Sequence, residues 1–300
     1  MTRWVLPLPN NTCNSHLHFP GGGTQPMRLK LRHETRYLYD TPARGAIQIL
    51  RLTPRNYGGQ FVKRWRVEID ADCRLERDED AYGNITHTFS VETPVDNLTI
   101  LVEGEIDVFN EAGFVRGGVE RFPPGYWLST TPLTVASPDI QAFASDLAAA
   151  EGGDCLAFLH RLNATICSDF NFDLDATHPA TQACEAFAQK SGVCQDFAQV
   201  FIAAARARGI PARYVSGYYL RSDTEAQEAG HAWAEAWLPG LGWTGFDPAH
   251  GLCPDERYIR LAVGRDYLEA APIRGSRQGG EGEKLEVAVR ISEGREIAEQ

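Results

Sequence analysis

Polar and apolar positions alternate through much of the first third of the chain. Arg28-Leu29-Lys30-Leu31-Arg32-His33, Ile47-Gln48-Ile49-Leu50-Arg51-Leu52 and Trp65-Arg66-Val67-Glu68-Ile69 carry the two-residue period of half-buried strands. Turn residues separate these runs, at Asn56-Tyr57-Gly58-Gly59 and Asp80-Ala81-Tyr82-Gly83-Asn84, and further strand-like runs follow at 87–91 and 98–109. Short strands at this spacing predict an antiparallel, sandwich-like β domain over 27–112. Residues 113–137 are irregular and proline-bearing, and read as a connector. Beyond them the period lengthens. Helices are predicted at about 139–150, 153–167 and 180–190, and from Cys194 to near Arg208, where Gly209-Ile210-Pro211 is a stop signal. Strands are predicted again at 212–220, 231–238, 242–247 and 285–291. Helices followed by antiparallel strands make 138–295 a second unit, and the fold class is α+β.

Composition narrows the partners. At 43% hydrophobic and 23% charged residues, 300 residues read as a soluble globular protein with a sizeable core. The net charge of −11 and the lack of a basic stripe argue against nucleic acid. Lys63-Arg64-Trp65-Arg66 falls within a strand pattern and reads as its solvated face. No run approaches the ~20 apolar residues needed to span a bilayer, so no membrane association is expected. Residues 1–26 are rich in Pro, Asn and Gly, and are expected to be a disordered leader or to precede the true start at Met27. The short, proline-broken run from Trp4 to Pro9 does not resemble a secretory signal, which places the protein in the cytoplasm. Seven cysteines, odd in number and irregular in spacing, read mostly as reduced packing residues. None has zinc-ligand spacing with a neighbouring Cys or His, so neither metal nor cofactor is expected.

The candidate chemistry begins at Gly192-Val193-Cys194-Gln195-Asp196-Phe197-Ala198. Gly192 permits a tight turn, and Cys194 then opens a helix. Unpaired N–H groups and the helix dipole at that end favour a thiolate. Phe197, Val200, Phe201 and Ala204 give the helix an apolar face that anchors it. An isolated cysteine at a helix start is more often a packing residue, but two further residues give this one company. His231 opens an alternating strand in which His231, Trp233, Glu235 and Trp237 share one face and alanines the other, the latter suited to close packing against the Cys194 helix. It is a plausible base. Asp247 ends the next strand and would orient the imidazole. A regular hairpin through 239–242 is expected to set Asp247 opposite residue 234 or 235, some 10–13 Å along the strand from His231. On that register the two meet only through a bulge, strong twist or bend. Tyr218, Trp233 and Trp243 are candidates for a substrate groove, although strand aromatics are more often core. Asp196 either contacts substrate or hydrogen-bonds locally.

These motifs resemble the bacterial transglutaminase-like family. The resemblance rests on Gly192 to Ala198, Gly209-Ile210-Pro211-Ala212-Arg213-Tyr214-Val215-Ser216-Gly217-Tyr218, Gly230-His231-Ala232-Trp233-Ala234-Glu235 and Gly240 to Pro248. Ala262-Val263-Gly264-Arg265-Asp266-Tyr267 and the stretch to Gly275 are similar to the family's tail, though Arg265 and Asp266 have no role legible in the sequence. The family often carries His where Gln199 stands, a change expected to leave the triad intact. The resemblance implies an N-terminal β domain, a papain-like α+β core and a Cys194–His231–Asp247 triad. It also implies a peptide or protein substrate, with water or an amine as acyl acceptor. Hydrolysis is the expected outcome, because no calcium-loop spacing or lysine-binding feature stands out. The competing readings are amine transfer and an inert interaction module whose binder is the β domain.

Overall fold

The computed structural model describes residues 25–222, 224, 226, 227 and 229–294. Residues 1–24 of the expected leader lie outside the described residues. Met27 opens β1 (Met27–Thr53), which is followed by β2 (Gln60–Ile69), β3 (Glu76–Glu79), β4 (Ile85–Val91) and β5 (Val95–Val108). The expected connector contributes β6 (Phe114–Val115) and two short 3-10 turns, Pro124–Leu128 and Pro132–Thr134. Next come α1 (Pro138–Ala150), α2 (Cys155–Asp169), β7 (Asn171–Phe172), α3 (Ala183–Gln189), β8 (Ser191–Gly192) and α4 (Cys194–Ala207). The remainder is β9 (Ala212–Tyr219), β10 (Ala226–Gln227), β11 (His231–Leu238), β12 (Gly242–Phe246), β13 (Tyr258–Gly264), α5 (Tyr267–Ala270), β14 (Ile273–Gly279) and β15 (Lys284–Glu293). The architecture is α+β, and none of its helices is long and apolar enough to cross a membrane among the described residues.

The expected sandwich strands form one continuous eight-stranded sheet built on the long β1. The first half of β1 pairs with β5 and β15, the second half with β4 and β14. The last two strands, read from sequence as part of the 138–295 unit, thus complete the N-terminal sheet. Their pattern explains why: Ile291 lies opposite Leu31 and Val289 opposite His33, so buried side chains of both strands share a face.

The second sheet has the order β13-β9-β11-β12-β6, with antiparallel neighbours throughout. One face carries α4. Asp196 to Arg206 are all buried, more than the single apolar stripe predicted, because α1, α2 and α3 enclose the side of α4 that the sheet does not. The alanine face of β11 packs against this helix as its sequence implies, with Ala232, Ala234 and Ala236 in the same core as Val200 and Phe201. On the opposite face Trp233 joins Trp127, Trp243 and Tyr258 in an aromatic core.

The two sheets meet along the outer edge of β13. The Gln60 amide donates to the Arg260 carbonyl (2.9 Å) and accepts from its N–H (2.8 Å). Asn84 does the same with the Val263 carbonyl and N–H (2.8 Å each). Two side-chain amides thereby stand in for a neighbouring strand and satisfy backbone groups that would be bare at a sheet edge.

Candidate active site

The turn that presents Cys194 is held from below by Asp196. Its carboxylate accepts from the Val193 N–H (2.9 Å) and from the Thr177 hydroxyl (2.6 Å). A Cβ at position 192 would lie 2.6 Å from that carboxylate, so the turn requires Gly192. Burial pushes the Asp196 carboxyl up, and the bonds from Thr177 and Val193 draw it back only in part. Asp196 is 1% exposed and takes the local role among its two sequence readings. Cys194 itself is half-buried at the first position of α4.

His231 and Asp247 meet without a bulge between β11 and β12. The turn is one residue tighter than a regular register through 239–242 implies: Leu238 pairs with Gly242 and Ala234 with Phe246, with Gly240 and Gly242 at φ of 82° and 86°. Continuing that register sets Asp247 level with Trp233, two residues from His231 and on the same face. Side chains on such a diagonal are within reach. The His231 Nε2 lies 2.7 Å from the Asp247 carboxylate. With Nε2 so engaged, Nδ1 is the ring nitrogen left for Cys194.

Asp247 has no exposure, and its carboxylate is surrounded by donors. Besides His231, Oδ2 is met by His250 Nδ1 (2.8 Å) and the Tyr258 hydroxyl (2.8 Å), while Oδ1 accepts from the Ala249 N–H (2.9 Å). Burial alone would raise this carboxyl, but the two imidazoles hold it well below the usual carboxylate range. For His231 burial would favour the neutral ring, yet Asp247 and the neighbouring Cys194 push it up to about 10. Burial and the Asp247 charge push the Tyr258 phenol far up, which keeps it a neutral donor. Tyr219 covers His250, with ring centroids 4.6 Å apart.

The structure thus brings Cys194, His231 and Asp247 to one place. The groove candidates lie elsewhere: Tyr218, Trp233 and Trp243 are 1%, 2% and 3% exposed, packed in the two cores rather than along an open cleft. The Tyr218 hydroxyl meets His33 Nδ1 (2.6 Å) and ties the sheets together. His250 and Tyr258 were not singled out from the sequence. A histidine three residues beyond a candidate triad Asp, across a Pro-initiated turn, was the available signal for the first. His231, Asp247 and His250 also place ligand-type atoms within 4.8 Å of one another, a set able to hold a metal ion, although in this structure those atoms bond each other. Arg265 and Asp266 are structural. Asp266 caps α5 by accepting from the Glu269 N–H (3.1 Å), and Arg265 pairs with Glu269, which also accepts from Tyr82 of the N-terminal unit (2.6 Å).

The family model of the transglutaminase-like superfamily matches residues 141–248, and that of the bacterial transglutaminase-like N-terminal region matches 29–107. An uncharacterized protein of Mycobacterium tuberculosis (strain H37Rv) is 32% identical over 288 residues, covering 88% of this chain and 91% of its own length. A protein-glutamine gamma-glutamyltransferase of Pseudomonas aeruginosa is 35% identical over 108 residues, covering 31% of this chain and 16% of that protein. A candidate cysteine protease from Cytophaga hutchinsonii has the same fold, with a TM-score of 0.69 at 18% identity over 90% of this chain and 91% of that one. The chain therefore belongs to the bacterial transglutaminase-like family, with its papain-like α+β core.

Proposed function

We propose that the chain is a cysteine-dependent acyl-transfer enzyme in which Cys194, His231 and Asp247 act as a triad, and that it hydrolyses peptide or isopeptide amides. The observation that carries this reading is the buried His231–Asp247 pair, whose carboxylate keeps the imidazole protonated beside Cys194. The Cys194 sulfur attacks the amide carbonyl carbon, and the carbon–nitrogen bond breaks as His231 passes its proton to the leaving amine. The thioester is then attacked by water, whose proton returns to His231. Release of the carboxylic product frees the sulfur. The Cys194 N–H, at the open amino end of α4, is the first oxyanion donor, because helix-start amides lack an intrahelical acceptor.

Amine transfer is the second reading, favoured by the glutamyltransferase among the relatives. It differs only in the acceptor for the thioester. An amine-incorporation assay run beside a peptidase assay separates the two, and transfer without hydrolysis would put the amine ahead of water as acceptor. The triad itself is tested with iodoacetamide and with Cys194→Ala. One hyper-reactive cysteine near neutral pH, mapped to Cys194, is expected, together with loss of all product from a mixed peptide and amine library in the variant. Equal product from both proteins ends the enzyme reading in favour of an interaction module. The cytoplasmic placement is part of this proposal and fits the six cysteines that stand free among the described residues.

A further inference from the structure

The polar residues that follow the nucleophile are all committed to one neighbouring segment. Gln195 Nε2 donates to the Pro179 carbonyl (3.3 Å), Asp196 accepts from the Thr177 hydroxyl (2.6 Å), and the fully buried Gln199 donates to the Thr181 carbonyl (3.3 Å). The same segment begins against the turn before Cys194. There β7 runs parallel to β8 with Phe172 beside Gly192, and the Asp173 N–H donates to the Gly192 carbonyl (2.9 Å). Residues 171–181 therefore wrap the amino end of α4 and are held there at both ends.

This wall presents apolar side chains to solvent. Phe172 is 55% exposed and Leu174 67% exposed. Phe172 rests edge-on against Phe197, with ring centroids 6.3 Å apart. Phe197 is three residues past Cys194 and so on the same side of the helix. Phe172 thus sits beside the turn that leads into Cys194, backed by the Phe197 ring and open to solvent in front. Leaving two such side chains in water next to a nucleophile is costly unless something apolar covers them.

We infer that residues 171–181 form the acyl-donor wall of the site, with Phe172 and Leu174 selecting donors that carry a large apolar side chain beside the reacting carbonyl. This inference rests on the triad reading above. It also gives Gln195, Asp196 and Gln199 a shared role in fixing that wall relative to Cys194.

The test uses the full chain and two N-acetyl dipeptidyl chloromethyl ketones, one with Leu and one with Ser next to the ketone. Each alkylates Cys194 with loss of chloride, so no natural substrate is needed. The Leu probe should react about tenfold faster than the Ser probe in the wild type, as covering a side chain of this size implies. In the double variant Phe172→Ser, Leu174→Ser the ratio should fall towards one, and Leu174→Ser alone should move it part of the way. The rate with iodoacetamide, which carries no side chain, should be unchanged in both and shows that the site is still folded. A wild type without preference, or a double variant that keeps it, overturns the inference while the triad reading stands. Failure of iodoacetamide to select Cys194 in the wild type takes down both.

Discussion

Two buried carboxylates on the aromatic face of the second sheet show how the same physical device can serve two ends. Asp247 and Glu235 both have no exposure, and both are held ionised against a burial penalty by the groups around them. Glu235 accepts from Arg213 (2.7 Å) and Arg260 (2.7 and 3.1 Å), which bring its carboxyl down to about 2. Arg213 continues to Glu120 (2.8 and 3.0 Å) and lies 3.8 Å from the centre of the Trp243 ring. Guanidinium groups do not release protons in the working range, so this network can only hold structure. Four residues earlier on the same strand face, the partner of Asp247 is an imidazole. There the stabilisation is stored in a proton that can leave. What separates scaffold from chemistry is the titratability of the partner, not the depth of burial.

Replacing each carboxylate should divide the two roles. Asp247→Asn keeps the shape but cannot favour the same tautomer and charge of His231. It should lower kcat/KM by about 10⁴-fold, read by steady-state assay, with the fold retained. Glu235→Gln leaves two guanidinium groups without their buried counter-charge and should cost about 3–5 kcal/mol in urea unfolding. Cys194 alkylation in the fraction still folded should be little changed. An equal loss of reactivity in that fraction would erase the distinction.

Smaller changes probe the other donors to Asp247. His250→Ala and Tyr258→Phe each remove one hydrogen bond to a charged group, about 1.5–3 kcal/mol. Each should lower kcat about tenfold or more with KM near wild type. His250→Asn, which keeps a donor at the position of Nδ1, should recover most of the loss. The last and subtlest effect is on titration. His231, followed by NMR, should lose its proton near pH 10 in the wild type and at lower pH in Cys194→Ala, since Cys194 is one of the groups that raise it. The sign follows for stability as well. With the folded value above the ordinary 6.5, the contribution of this histidine is complete below about pH 6.5 and is lost as pH rises through about 10. A His231 titration near its ordinary value would remove the contrast with Glu235.

Much of this was legible in the sequence because local pattern and tertiary demand agree. The alternation of β1 and β11, the alanines of β11 and the stop signal after α4 each correspond to an observed element or contact. Position across a turn was harder. A residue's difference in hairpin length changed which side chain faces Asp247, and it brings the Asp247 carboxylate within hydrogen-bond distance of His231. β13 escaped the sequence pattern because Tyr258-Ile259-Arg260-Leu261-Ala262-Val263 lacks alternation, as befits a strand buried on both faces. With it went Tyr258. The fully buried amide of Gln199 donates to the Thr181 carbonyl (3.3 Å). No periodicity reports a contact of that kind.

The amides of Gln60 and Asn84 on β13 have a consequence for how this chain can be divided. They lend the second sheet a counterfeit strand, and the lender depends in turn on β14 and β15, which follow that sheet in the chain. Each half therefore finishes the other. Separating the two regions would bare the outer edge of β13 and the backbone groups of β1 that β14 and β15 now engage.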